Sequence, residues 1–334
     1  MGGMESLHAP PSPPPPGGEL SDPPAAGGTD APACSRDATA LLPERGWHVV
    51  RDFSGLSGCT VRCLRHAASG AQLVRKTVPH PGYNPRLQHQ LLKQARFQAR
   101  WSVAAPRVLG VARLSDGRLC FDMEYIPGTT LAEQFAFLPL PDLRSLVRAL
   151  CAIIPLRSSG SARCAAQCTA KLTSLHRTLP AAAELSAALA LLQDFDWTQV
   201  PCTPCHGDLT LENILVTPEG RLCLIDFLDT CCRSWMTDVA KLLQDLELHW
   251  SFRHQFLTPA LRRRLLAARL ELLAAVEERP HGSHELLAIY HLLLLNLLRI
   301  VPYAADEVTR AFLSRTIPQV CAQLRRLRGG HALP

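Results

Sequence analysis

Asp208, Asn213 and Asp226 set two carboxylates and an amide at fixed offsets in this 334-residue chain. They stand in Cys205-His206-Gly207-Asp208-Leu209-Thr210-Leu211-Glu212-Asn213-Ile214-Leu215 and in Leu224-Ile225-Asp226-Phe227. Between Asn213 and Asp226, the apolar runs Ile214-Leu215-Val216 and Leu222-Cys223-Leu224-Ile225 flank the turn signal Pro218-Glu219-Gly220, a hairpin pattern. Such a hairpin folds Asn213 and Asp226 back toward each other. Two oxygen-bearing side chains at the ends of adjacent strands suit Mg²⁺, a hard cation that takes few protein ligands and fills its shell with water and phosphate oxygens. Asp208, after a histidine and a flexible glycine, is then free to face a substrate hydroxyl. A base or orienter, two metal ligands and strands to hold them are the parts of phosphoryl transfer from a nucleotide. The structural alternative makes Asp208 a turn residue and Asp226 a strand-end cap.

The pattern His-Gly-Asp-x-x-x-x-Asn-Ile-Leu followed by Ile-Asp-Phe resembles the aminoglycoside phosphotransferase and choline kinase group of small-molecule kinases. That resemblance implies an α+β, two-lobed protein-kinase-like fold, with a small antiparallel sheet lobe and a larger helical lobe. It implies that Asp208 is the catalytic base and that Asn213 and Asp226 bind metal. The implied cofactors are ATP and Mg²⁺, and the implied partner is a small hydroxylated acceptor such as an aminoglycoside, an amino alcohol or a sugar. It spans nearly all of residues 45–330, although only 205–241 is specific. The family also carries an aspartate, matched by Asp238, that braces the catalytic loop; a first-turn aspartate favoured by the helix dipole is the simpler reading. Relatives usually read Asp-Phe-Gly where this chain has Asp-Phe-Leu-Asp, so Asp229 adds a carboxylate beside the site or simply begins a loop.

Short strands are expected over 47–53, 61–64 and 73–78. Between the first two, Ser54-Gly55-Leu56-Ser57-Gly58 offers a turn whose backbone N–H groups can lie over phosphates, with Gly55 and Gly58 as nucleotide-binding candidates. An ordinary hairpin loop explains them as well. Lys76 falls on the third strand, where the resemblance places the lysine that contacts the α- and β-phosphates; an exposed strand lysine is the alternative. Asn84-Pro85 reads as an N-cap followed by proline at the first helical position, so a helix is expected from there to about Trp101. In many relatives that helix carries a glutamate paired with the strand lysine. Here there is none, and Gln90 or Gln94 could hydrogen-bond the ammonium without neutralising it. This departure keeps open a catalytically weak, nucleotide-binding regulatory protein of the same fold.

Strands at 107–113 and 119–126 are joined by Asp116-Gly117, and Met123-Glu124-Tyr125-Ile126-Pro127-Gly128 resembles the family's connector between lobes. There Glu124 and Ile126 would offer peptide groups to the nucleotide base. The expected organisation is a nucleotide-binding lobe at 45–124 and a helical catalytic lobe at 129–330, with helices near 130–137, 141–155, 162–178, 181–194, 234–243, 258–278, 283–303 and 305–328.

Residues 1–38, rich in proline and glycine and poor in large apolar residues, are expected to be disordered. The net charge of +6 is modest, and Arg262-Arg263-Arg264 and Arg325-Arg326-x-Arg328 read as solvated helix faces, so no nucleic-acid partner is expected. Thirteen irregularly spaced cysteines without a signal peptide point to reduced thiols and a cytoplasmic setting. The pairs Cys202-x-x-Cys205 and Cys164-x-x-x-Cys168 are isolated, and buried thiols are the default against a zinc or redox site. Leu286–Val301 is apolar but interrupted by His291, Asn296 and Arg299, so a core helix and no membrane insertion is expected. Glu184, Glu247, Glu271, Glu277 and Glu278 are scattered and say nothing of the acceptor, and the oligomeric state is open.

Overall fold

The short strands of the first half of the chain build a sheet that packs one face on a helix. The computed structural model describes residues 46–53, 58–98, 103–152, 162–279 and 281–329. Strands β1 (Trp47–Phe53), β2 (Thr60–His66), β3 (Gln72–Thr77), β4 (Val108–Arg113) and β5 (Leu119–Glu124) form one antiparallel sheet in the order β1-β2-β3-β5-β4. Helix α1 (Asn84–Gln98) packs on it through a small core of Val78, Leu87, Phe121 and Met123. Arg75 and Lys76 are neighbours on β3 and therefore point to opposite faces. Arg75 makes a bidentate pair with Asp122 of β5 (2.7 and 2.9 Å), while Lys76 turns toward α1 and the cleft.

Asn84 departs from its expected role. Its side chain caps no helix; it donates to the Gly117 carbonyl (2.9 Å) and accepts from the Leu119 N–H (2.7 Å), pinning the β4–β5 turn to the start of α1. A helix starting beside a turn with open backbone groups gives the amide two partners at once, which outweighs one cap bond.

The second half is helical. Strand β6 (Thr129–Thr130) and α2 (Leu131–Phe135) lead into α3 (Leu140–Ala152), α4 (Ala162–Thr178) and α5 (Ala183–Gln193). Then comes the expected hairpin, β7 (Ile214–Val216) and β8 (Leu222–Leu224), in register Ile214↔Leu224, with β6 on its outer edge. Helices α6 (Trp235–Leu246), α7 (Pro259–Glu277), α8 (Gly282–Ile300) and α9 (Glu307–Arg328) complete the lobe. Every residue of α6 is buried, a burial no surface helix reaches. Helix α8 belongs to a stretch, His284–Tyr303, long and apolar enough to cross a membrane. Its leucines at 292–295, 297 and 298 are nearly inaccessible inside the helical core, against α6 and α9.

The two lobes are joined by more than their connector. Ala104, between α1 and β4, bonds Leu222 and Leu224 of the hairpin (3.1 and 2.9 Å), and Phe97 of α1 meets the Phe227 ring edge-on at 5.0 Å. The connector passes so close to β7 that a Cβ on Gly128 would lie 2.6 Å from the Val216 carbonyl oxygen. Of the expected elements, the ends of the α1 and 141–155 helices and the 1–38 tail lie outside the described residues.

Candidate active site

The hairpin brings Asn213 and Asp226 to one place. Ile225 N–H donates to the Asn213 carbonyl (3.0 Å), which sets Asp226 one residue beyond the metal-candidate amide. Asp226 holds φ +58°, a left-handed backbone that only short polar residues and glycine adopt readily. An aspartate held there marks a place where side-chain direction matters more than backbone ease. Its side chain is 45% exposed, and its Oδ1 receives the Lys76 ammonium at 2.5 Å. Lys76 itself is buried and also donates to Gln90 Oε1 (3.2 Å). Of the two glutamines considered, Gln90 is thus the one beside the lysine; Gln94 spans from α1 to the Pro106 carbonyl (2.8 Å).

Asn213 turns its Nδ2 on Asp208, donating to the carbonyl (2.8 Å) and to Oδ2 (3.2 Å). Among the described residues nothing donates to its Oδ1. Asp208 is less free than its sequence setting suggests: Oδ1 lies 3.0 Å from Lys241 Nζ, and the side chain is 26% exposed. Burial pushes its carboxyl up, but the Lys241 ammonium outweighs this and holds it below the usual range.

Three side chains of α6 hold this loop like teeth on one face, at 238, 241 and 245. Asp238 accepts the N–H groups of His206 and Gly207, both at 2.7 Å. Lys241 takes Asp208, and Asp245 accepts Leu211 N–H (2.5 Å) while also bonding the Ser251 N–H and hydroxyl (2.8 Å each). Burial raises Asp238 and Asp245 to about 6, each partly offset by the N–H groups it accepts. His206 is fully buried, with Nε2 toward the Ile225 carbonyl (2.8 Å) and Nδ1 accepting the Asp208 N–H (3.2 Å). That pattern requires the neutral Nε2–H tautomer, and burial pushes the ring down to about 4. It is a brace without a proton to give near neutrality.

Gly207 has φ +92°, and a Cβ there would sit 2.4 Å from the Leu228 carbonyl oxygen and 2.9 Å from Lys93 Nζ. Lys93, from α1, donates to the carbonyls of Leu228 (2.5 Å) and His206 (3.2 Å). Sequence reasoning missed Lys93 and Lys241 as site residues and did not single out Asp245. The available signal was a helix from 235 with charges at 238, 241 and 245 along an otherwise apolar face.

The other candidates fall around this centre. Glu124 ends β5, with its N–H on the Arg107 carbonyl (2.9 Å) and its carboxylate on Arg107. Ile126 follows in the connector, and its N–H donates to no group among the described residues. Gly58 lies two residues before β2 at φ +71°, and Gly55 lies outside the described residues. Asp229 faces His89 of α1 at 3.5 Å. The thiols of Cys164, Cys168, Cys202 and Cys232 meet one another, whereas Cys205 lies apart beside Lys93. The hydrogen bond from Cys232 and burial push Cys164 up and keep it a thiol, and no metal-holding group of three ligands occurs among the described residues. A hollow on the outer face of the sheet is ringed by Arg62, Arg75 and Arg118, each already paired with an aspartate.

Residues 62–281 match the model of the phosphotransferase enzyme family. The chain belongs to that family. Comparison with curated protein sequences finds no match. Among solved structures, this phosphotransferase is similar to a thermostable mutant of aminoglycoside phosphotransferase APH(4)-Ia in ternary complex with ADP and hygromycin B, with TM-score 0.55, 14% identity and coverage of 81% of this chain and 92% of that one. A second mutant of that enzyme, in complex with AMP-PNP and hygromycin B, gives TM-score 0.55, 16% identity and the same coverage. The APH(4)-Ia structure gives 0.54, 15%, 83% and 94%. The likeness establishes the two-lobed kinase-like fold of this phosphotransferase.

Proposed function

We propose that this phosphotransferase moves the γ-phosphoryl group of ATP to a hydroxyl of a small molecule. The observation that carries the reading is the convergence of Asp208, Asn213 and Asp226 on one loop-and-hairpin unit, with Lys76 reaching Asp226 from the sheet. The ADP and AMP-PNP complexes of the APH(4)-Ia structures support a nucleotide donor; in this reading Lys76 contacts its phosphates and the peptide groups of Glu124 and Ile126 meet the base.

Asn213 Oδ1 and the half-exposed Asp226 carboxylate are hard oxygen donors, too few to enclose an ion, and this fits Mg²⁺ completing its shell with phosphate and water. When bound, the ion would offset negative charge on the phosphates. Lys76, held between Asp226 and Gln90, would also reach phosphate oxygens of the bound nucleotide. Asp208, kept ionised by Lys241, accepts the hydrogen of the acceptor hydroxyl and orients its oxygen. As the new O–P bond forms, the bond from γ-phosphorus to the β-phosphate oxygen breaks. The proton passes to Asp208 and ADP leaves. A carboxylate held below its ordinary range is a weak base, which suits a loose transition state where the proton moves late.

Calorimetric binding of AMP-PNP with and without Mg²⁺ tests the assignment. The wild type is expected to bind more tightly with the ion, Asp226→Ala to lose that difference, and Lys76→Met to weaken binding about tenfold. Equal Mg²⁺ dependence in wild type and Asp226→Ala would refute the metal assignment.

A further inference from the structure

Beside Asp208 the helical lobe collects positive charge that, Lys241 apart, has no carboxylate at ion-pair distance among the described residues. Thr230 is buried, and its Cγ2 lies 3.3 Å from where a Cβ of Gly207 would be, so it adjoins the residue preceding Asp208. Arg299 Nη1, from the end of α8, reaches Thr230 Oγ1 at 3.5 Å and Asn296 Oδ1 at 3.4 Å, both at the limit of a hydrogen bond. A guanidinium has five N–H donors, and here one nitrogen meets two neutral oxygens at long range. Asn296 is only 4% exposed, yet its Nδ2 has no partner among the described residues. Residues 296 and 299 share one face of α8. A buried amide donor without an acceptor is costly unless something outside the chain supplies one.

Lys171 of α4 lies in the same field. Burial pushes its ammonium down, and the charges of Arg299 and Arg86 push it further. Arg299 also acts on Asp208, lowering it. Among the described residues neither Lys171 nor Arg299 has a carboxylate at ion-pair distance. Some other cations of this lobe have carboxylate partners, Arg269 with Glu247 at 3.0 Å, Arg279 with Glu285 at 2.7 Å and Arg148 with Glu271 at 2.5 Å, whereas Arg253, Arg264 and Arg310 rest on backbone carbonyls. The nearby Asp229 points to His89.

We propose that Lys171, Asn296 and Arg299, with Thr230 at their inner edge, form the acceptor end of the site and bind an anionic group, a carboxylate or a phosphate, on the hydroxylated acceptor. The assignment rests on the phosphoryl transfer proposed above and narrows its substrate class. An aminoglycoside carries ammonium groups, which these cations repel. An acidic sugar or a sugar phosphate instead gives Arg299 a fork partner and Asn296 an acceptor, while its hydroxyl lies toward Asp208.

The test is calorimetric binding of glucose, glucosamine, glucuronate and glucose 1-phosphate to the full chain saturated with AMP-PNP and Mg²⁺. At least one anionic probe is expected to bind about tenfold or more tighter than glucose, and glucosamine more weakly than glucose. Whether glucuronate or glucose 1-phosphate leads distinguishes carboxylate from phosphate. Arg299→Ala and, independently, Lys171→Met should each remove about tenfold of the anion's advantage, with Arg299→Lys restoring part of it. Glucosamine binding as well as the anions, no anion preferred over glucose, no binding by any probe, or a preference surviving both variants would each overturn the proposal. So would anion binding abolished by AMP-PNP, which would place these cations on the nucleotide phosphates. Failure of the underlying reading is separately visible as absence of AMP-PNP binding.

Discussion

Asp208 is held by two neighbours with different effects. Asn213 fixes its direction, while Lys241 fixes its charge. The sign for pH follows: a carboxyl lowered in the folded state stabilises the fold above its unfolded value, near 3.9, and that contribution is lost as pH falls through the folded value. Removing the ammonium in Lys241→Met takes away the main cause opposing burial, so the Asp208 pKa should rise. The acid limb of the pH–rate profile should then move to higher pH, with a lower kcat at neutrality. An unmoved limb would show that Lys241 does not set the charge of Asp208. Gly207 is constrained more simply. In Gly207→Ala the left-handed backbone costs ~1–2 kcal/mol, and a methyl 2.4 Å from a carbonyl oxygen adds to it. A fall in Tm of about 5 °C or more is expected in a thermal melt.

Helix α6 acts on the site as a unit, because Asp238, Lys241 and Asp245 grip successive parts of the 206–211 loop from one face. Both aspartates are raised to about 6, above their unfolded value. Their contribution is therefore fully present below about pH 4 and lost as pH rises through 6. Asp238→Asn does not titrate and accepts through one oxygen where the carboxylate used two. Melts between pH 4.5 and 7 should place this variant below wild type throughout, with the larger gap at pH 4.5. A gap that widens toward pH 7 would contradict the raised pKa. Helix α1 grips from the other lobe, through Lys93 on the His206 and Leu228 carbonyls. Lys93→Met leaves both carbonyls without this donor, and stability should fall by ~2–4 kcal/mol in denaturant unfolding.

At the scale of the molecule, the two lobes meet where Lys76, from the sheet, touches Asp226, from the hairpin, and the expected nucleotide lies across that seam. The fold was legible because each element announced itself locally: alternating strands, the Pro218-Glu219-Gly220 turn, the apolar periodicity of α7 to α9. That Asp208, Asn213 and Asp226 come together was legible because all three lie in one short loop-and-hairpin segment. Lys93 and Lys241 were not, since their partners are 113 and 33 residues away and nothing in local pattern marks a lysine as aimed at a carbonyl or a carboxylate. The Asn84 cap failed for the same reason, its partners lying on a distant turn. Likewise the acceptor end combines Lys171, Thr230, Asn296 and Arg299 from three separated segments, and only folding assembles it.

The most direct test is Mg²⁺-dependent consumption of ATP by wild type and Asp208→Asn against pooled hydroxylated metabolites, with ATP binding measured alongside. The expected result is acceptor-dependent turnover by the wild type that falls about 10²–10⁴-fold in the variant while nucleotide binding persists. Binding without turnover in any pool, or turnover unchanged by Asp208→Asn, would contradict the phosphotransfer role given to this site.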